Sequence, residues 1–185
     1  MRSFIAIELP ESTQSELGEI QRELKKTGAD IRWVRPENIH LTLKFLGDIE
    51  EGLCNDITRV IEGACNTFQP FSLSIQGTGV FPNARAPRVV WVGLSQDTSL
   101  AGIKQEIDTG LVPLGFEQED RSFVPHLTLG RFRSSQGKRS LMDKVEQLRD
   151  NSYGVIDVKS IALMRSDLSP QGARYTKIAE IPLGG

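Results

Sequence analysis

The chain has 185 residues, with 22 Lys+Arg against 24 Asp+Glu for a formal net charge of −2, a length that favours one domain. Charged residues make up 25% and apolar ones 38%, which excludes wholesale disorder, and no apolar run approaches the ~20 residues of a membrane helix. With a pI near 5.8, bulk charge cannot drive polyanion binding, so any nucleic-acid contact must come from a local cluster.

Residues 4–9 read as a first strand ended by Pro10, too short an apolar run for a signal peptide. Residues 12–25 carry Leu17, Ile20 and Leu24 at helical spacing. Residues 39–46 alternate like a strand that Gly47 ends. Asp48, with Glu51 three residues on, reads as a capping box opening a helix striped by Ile49, Leu53, Ile57, Ile61, Ala64 and Phe68. Cys54 and Cys65 lie on one side of that helix and form neither a CxxC motif nor a disulfide framework, so they read as core residues in a reducing, cytoplasmic setting. Residues 71–81 and 88–94 read as two strands joined by a turn bounded by Pro82 and Pro87. Leu100, Ile103, Ile107 and Leu111 mark a helix that Pro113 stops. Residues 124–132 form another strand candidate, interrupted in pairing at Pro125. Leu141, Val145 and Leu148 give a short helix. Residues 155–164 and 174–181 supply two last strands. Several strands are sequential neighbours joined by tight turns, which predicts an α+β fold with largely antiparallel sheets.

The tetrapeptide His-Leu-Thr-Leu occurs twice, at His40 to Leu43 and at His126 to Leu129, and these are the 2 histidines of the chain. In a strand successive side chains alternate faces. Each copy therefore sends an imidazole and a threonine hydroxyl to one side, His40 with Thr42 and His126 with Thr128, and two leucines to the other. Two such strands related by a pseudo-two-fold arrangement of lobes would set two imidazoles across one cleft. One imidazole can then take a proton from an attacking oxygen while the other gives one to a departing oxygen, both near their useful pKa at neutral pH. The hydroxyls can donate to the non-bridging oxygens of a phosphate. A two-histidine metal site is the competing reading, but it needs a third ligand, and Glu37 and Asp48, the nearby carboxylates, have no counterpart in the second copy.

The duplicated His-x-Thr-x pattern resembles the two-histidine phosphoesterases. The surrounding residues are similar to the RNA 2′,3′-cyclic phosphodiesterases, also called 2′-5′ RNA ligases. The resemblance runs nearly end to end, through Arg2-Ser3-Phe4-Ile5-Ala6-Ile7, the segment from His40 to Gly47, Gly79-Val80-Phe81-Pro82 with Arg88-Val89-Val90-Trp91, the segment from Pro125 to Arg131, and Ser166, Leu168, Gly172 and Tyr175. It implies a single two-lobed phosphoesterase domain over 1–185, α+β, built of a pseudo-two-fold pair of mostly antiparallel sheets around a central cleft. It implies hydrolysis of an RNA terminal 2′,3′-cyclic phosphate to a 2′-phosphomonoester, with His40 as proton donor and His126 as proton acceptor; the two identical motifs do not by themselves divide those roles. It also implies reversible 2′-5′ ligation without ATP, no metal and no cofactor. In the same reading Arg131, five residues after His126, holds the phosphate with Thr42 and Thr128. A guanidinium fork suits phosphate oxygens better than a point charge.

Lys44, Phe45 and Arg88 are candidates for contact with RNA, Lys44 because even spacing from His40 places it on the same strand face, Phe45 as a stacking surface, and Arg88 as part of a local basic cluster. The partner expected is an RNA end bearing a 2′,3′-cyclic phosphate, with no membrane and no obligate protein partner. Two rivals share these residues: a phosphodiesterase acting on small cyclic nucleotide derivatives, and a non-catalytic module that holds RNA ends.

Overall fold

A computed structural model describes residues 1–184 of the chain. Among them the order is β1 (Arg2–Glu8), α1 (Glu11–Lys25), β2 (Ile31–Trp33), β3 (His40–Asp48), α2 (Cys54–Thr67), β4 (Phe71–Phe81), β5 (Val89–Leu94), α3 (Thr98–Leu111), β6 (His126–Phe132), α4 (Lys138–Gln147), β7 (Ser152–Val158), β8 (Ser160–Ser169) and β9 (Gly172–Pro182). The strands form two sheets, one in the order β3-β1-β8-β9 and one in the order β2-β6-β5-β4-β7. Every pairing is antiparallel, so the fold is α+β with two antiparallel sheets flanked by helices. Among the described residues no helix is long and apolar enough to cross a membrane.

Helices α2 and α3 pack on the first sheet, and α1 and α4 lie together on the second. The apolar stripes anticipated for the helices are the buried ones: Leu17, Ile20 and Leu24 on α1, Ile57, Ile61 and Ala64 on α2, Leu100, Ile103, Ile107 and Leu111 on α3. They join the inward residues of both sheets, such as Ile5, Leu41, Val90 and Leu127, in one continuous core. Strand β3 of the first sheet touches β6 of the second.

Two local readings are corrected. Asp48 caps no helix: it is the last residue of β3, paired with Arg2, and the chain makes a short 3-10 turn at Glu51–Leu53 before α2 begins without a side-chain cap. Ladder pairing with the chain's first strand outcompetes the local capping motif. The supposed strand 155–164 is two strands in different sheets. β7 pairs with β4 and β8 with β1, and Lys159 between them turns its carbonyl to the Leu183 N–H instead (2.8 Å). Alternation alone carries no mark of such a change of sheet.

The two sheets correspond strand for strand around their histidine strands. In one, β3 is flanked by β1, then β8, then β9; in the other, β6 is flanked by β5, then β4, then β7, with β2 added outside β6. The first sheet thus combines strands from both ends of the chain, the second strands from its middle.

Candidate active site

Each histidine opens its strand, and the two strands share one irregularity. Between β1 and β3 the register passes from Ala6 opposite Thr42 to Ile5 opposite Lys44, leaving Leu43 as an extra residue. Between β5 and β6 it passes from Trp91 opposite Thr128 to Val90 opposite Gly130, leaving Leu129 extra. A β-bulge of this kind resets the alternation of the strand. The residues after the threonines, Leu43 with Lys44 and Leu129 with Gly130, are all buried on the core side. The face carrying His40 and Thr42 resumes at Phe45, and the face carrying His126 and Thr128 resumes at Arg131, both exposed. The second bulge is held from its far side, where the Leu129 carbonyl accepts hydrogen bonds from the Val34 N–H (2.9 Å) and from the buried Gln21 Nε2 (2.9 Å).

The imidazoles are held alike. His40 Nδ1 lies 2.7 Å from the Asn38 carbonyl oxygen, and His126 Nδ1 lies 2.7 Å from the Val124 carbonyl oxygen. A carbonyl only accepts, so each Nδ1 carries the proton and each Nε2 is left as the basic atom. Aromatic rings fix the planes. Phe4 stacks on His40 with centroids 4.6 Å apart, and Tyr175 meets the same ring edge-on at 5.3 Å. Phe81 meets His126 edge-on at 4.9 Å, with Trp91 behind it at 6.3 Å. Small residues make room for these rings. Ala6 and Ala162 lie beside Phe4 on its face, and a Cβ on Gly79 would come within 2.3 Å of the Trp91 ring that lies across it.

Burial lowers the pKa of both histidines from the ordinary value, and the backbone carbonyl on each Nδ1 pulls it back up. The residual charges differ in sign. Glu8 acts on His40 and favours its protonated form, whereas Arg131 acts on His126 and favours its neutral form. The Arg131 charge is also felt by Tyr175 of the other sheet, where it opposes the upward push of burial.

The remaining sequence candidates divide. Thr42 and Thr128 are half-buried on the face of their histidines. Phe45 is 64% exposed and 6.4 Å from Phe4. Arg88 is exposed one residue before Val89, the register partner of Arg131. Lys44 is not available to RNA. It is 4% exposed on the core side of the bulge, where its Nζ lies 2.8 Å from Asp108 Oδ1 and donates to the Glu117 carbonyl (2.7 Å). Lys104 meets the same Asp108 (2.8 Å) and Glu119 (2.9 Å), so Lys44 belongs to a buried ion cluster behind the site. Sequence reasoning passed over Glu8, Phe4 and Tyr175 as site residues; the alternation Phe4, Ala6, Glu8 along β1 was the signal that would have put the first two on the histidine face. No three His, Cys, Asp or Glu side chains among the described residues cluster as metal ligands do.

Comparison with known proteins relates the chain to a family and its fold. The family model described as LigT-like phosphoesterase matches twice, over residues 7–91 and 92–175, one histidine motif in each match. A protein of Methanothermobacter thermautotrophicus named RNA 2′,3′-cyclic phosphodiesterase is 38% identical over 176 residues, 95% of each chain. One of Methanocaldococcus jannaschii with the same name is 37% identical over 180 residues, 97% of this chain and 99% of that one. Among solved structures, TT0787 of Thermus thermophilus superposes with a TM-score of 0.85 at 29% identity, covering 100% of this chain and 99% of that one. Escherichia coli LigT complexed with 3′-AMP does so at 0.75 and 24% identity, covering 100% and 98%, a likeness of fold.

Proposed function

The chain belongs to the LigT-like phosphoesterase family, and from that premise we propose that it hydrolyses the 2′,3′-cyclic phosphate at an RNA end to a 2′-phosphomonoester, as one two-lobed domain. The observation that carries the reading is the matched pair of imidazoles, each with Nδ1 bound to a backbone carbonyl and Nε2 left for proton transfer. The name shared by the relatives at 37–38% identity supports the substrate class.

In this mechanism neutral His126 takes a proton from water at Nε2 as the water oxygen bonds to phosphorus. The bond from phosphorus to the 3′-oxygen breaks, and protonated His40 delivers its Nε2 proton to that oxygen. The products are a free 3′-hydroxyl and a 2′-phosphate. The pair ends with the opposite protonation and resets by exchange with solvent. Glu8 beside His40 and Arg131 beside His126 bias the two rings in the directions this division needs. The hydroxyls of Thr42 and Thr128 and the Arg131 guanidinium stabilise the charge on the non-bridging oxygens. Phe45 and Arg88, both exposed, are the contacts this reading gives to the RNA strand. With an RNA 5′-hydroxyl in place of water the same steps form a 2′-5′ linkage as the P–O3′ bond breaks, and this reversible ligation needs no ATP.

The setting that fits is the cytoplasm. Cys54 and Cys65 are free thiols, and burial, assisted by Glu62, pushes Cys65 up to about 11, which leaves it inert. The test is incubation with an oligonucleotide ending in a 2′,3′-cyclic phosphate, with chelator present, beside ADP-ribose cyclic phosphate. Conversion of the oligonucleotide end from the cyclic phosphate to a 2′-phosphomonoester supports the reading. Turnover of the small molecule alone moves the enzyme to another substrate class, and binding without turnover makes it a module for RNA ends.

A further inference from the structure

Residues 116–125 carry the chain from the end of α3 to His126 without helix or strand. Among the described residues none of 117–124 exchanges a hydrogen bond with another backbone group, and regular pairing resumes at Pro125, whose carbonyl accepts from the Leu94 N–H (3.1 Å). Yet this stretch supplies the Val124 carbonyl that receives the His126 Nδ1 proton (2.7 Å). A stretch without backbone pairing is placed by its side chains. Those that place it are anchored on the other histidine strand. Lys44 Nζ of β3 donates to the Glu117 carbonyl (2.7 Å) and lies 3.7 Å from Glu119 Oε1. Lys104 Nζ of α3 holds Glu119 Oε2 (2.9 Å) and stands 5.8 Å from the centroid of the Phe123 ring, within cation–π reach. Asp108 fixes both ammonium groups, at 2.8 Å each. Phe123, packed against the core, and Pro125 thus bracket Val124.

The bulge in β3 serves this arrangement, because the extra residue Leu43 turns Lys44 away from the histidine face and toward the cluster. Apolar residues of similar volume often stabilise a core as well as buried ion pairs do. They cannot grip a carbonyl and a carboxylate of the segment that leads to His126. Resting on the phosphodiesterase reading, we infer that Lys44, Lys104, Asp108 and Glu119 are positioning residues for the proton acceptor: anchored on the strand of His40, they hold the Val124 carbonyl and through it the ring of His126. Lys44 sits on the core side of β3 and acts through this segment, not on the phosphate. The Val124 carbonyl raises the pKa of His126, so loosening it lowers that pKa whichever member of the cluster is removed. A charge acting through space would instead raise it when a cation is lost and lower it when an anion is lost. Arg131, the charged group that acts on His126 directly, is left in place throughout.

The experiment is an NMR titration of the two imidazoles in the intact protein, with His126→Ala identifying which signals belong to which ring. Three variants are compared with the wild type. Lys44→Met removes a cation, Glu119→Ala removes an anion whose side chain is 45% exposed, and Phe123→Ala changes no charge. His126 is expected to titrate at lower pH in all three while His40 stays in place. On an oligonucleotide ending in a 2′,3′-cyclic phosphate, kcat should fall by up to about a hundredfold, the cost of a small misplacement of a reacting group, with KM nearly unchanged. Should Lys44→Met not fold, Glu119→Ala and the uncharged Phe123→Ala decide alone. A His126 titration that stays in place in those two variants overturns the inference, as does an equal shift at His40. Opposite shifts in Lys44→Met and Glu119→Ala overturn it as well, in favour of charge acting through space. Absence of turnover on every cyclic phosphate in the wild type, with the His126 titration shifting as expected, overturns the phosphodiesterase reading and leaves the positioning role standing.

Discussion

Glu8 stands directly opposite His40 in the antiparallel β1–β3 register, while the residue opposite His126 in the β5–β6 register is Gly93. The two histidine motifs are identical in sequence and in backbone hydrogen bonding, and this carboxylate, together with Arg131 near His126, gives the rings neighbouring charges of opposite sign.

The inequality sets a pH profile. Burial lowers both histidines, with Glu8 opposing the shift at His40 and Arg131 adding to it at His126. The profile of kcat/KM reports the free enzyme, and a bell is expected that lies to the acid side of the ordinary histidine value of about 6.5. Its acid limb belongs to His126 and its alkaline limb to His40. Glu8→Gln removes an influence that raises His40 and should move the alkaline limb to lower pH. Arg131→Ala removes one that lowers His126 and should move the acid limb to higher pH. Limbs that stay in place in both variants would assign the profile to other groups.

Replacing either histidine with alanine is expected to remove most of the activity and leave the fold intact, because the two act in one step. The double variant should lose little more than either single one, since groups that act as a unit are not additive. Near-wild-type turnover in one single variant would end the paired mechanism.

What was legible beforehand follows from where the pattern repeats. The pair His40 and His126 showed because a tetrapeptide recurs, and the helix stripes because apolar residues recur at helical spacing. The bulges were hidden. An extra residue at Leu43 or Leu129 leaves the residue types unchanged while reversing which side each later one faces. Strict alternation therefore put Lys44 in the cleft, whereas the bulges turn Lys44 to the core and bring Phe45 and Arg131, at odd spacing from their histidines, back to the histidine face. Glu8 was hidden for a different reason: its role comes from a strand partner that only the β1–β3 register identifies.

Arg131→Lys keeps the charge and loses the two-pronged geometry. It should weaken both KM and kcat, together by about 1–3 kcal/mol, the range for a hydrogen bond to a charged group. The 2′-phosphate product carries more charge than the cyclic diester, so inhibition by added product should be visible in the wild type and fade in Arg131→Ala. Inhibition that persists unchanged would take Arg131 out of the phosphate site.

Lys44→Met breaks the buried cluster of Lys44, Lys104, Asp108 and Glu119. Leaving a buried carboxylate with one cation fewer should cost about 3 kcal/mol of stability, read as a lower denaturant midpoint with unchanged slope. Burial pushes the Asp108 carboxyl up, but the hydrogen bonds from Lys104 and Lys44 outweigh it and hold the group below its ordinary range. A carboxylate depressed in the folded state stabilises above its unfolded pKa, and that contribution is lost as pH falls through the folded value. Acid unfolding should therefore begin at higher pH in Lys44→Met. An unchanged acid transition would show that Lys104 alone holds Asp108.

Activity is expected to survive EDTA, because the imidazoles need their Nε2 atoms free for protons. Loss on chelation, restored by added zinc or manganese, would require a metal-assisted route.

The first sheet draws its strands from opposite ends of the chain, and Phe4 meets Met164 across the β1–β8 pair. During synthesis, a nascent chain can assemble the second sheet from β2 to β7 while β1, paired with β3 on one side, still waits for β8 on the other. His126 thus gains its aromatic surroundings early, whereas the Tyr175 wall beside His40 comes with the final strand. Competence arrives only once β9 has been made, and so long a wait for distant partners makes the closing of the first sheet the slow event in reaching the native state.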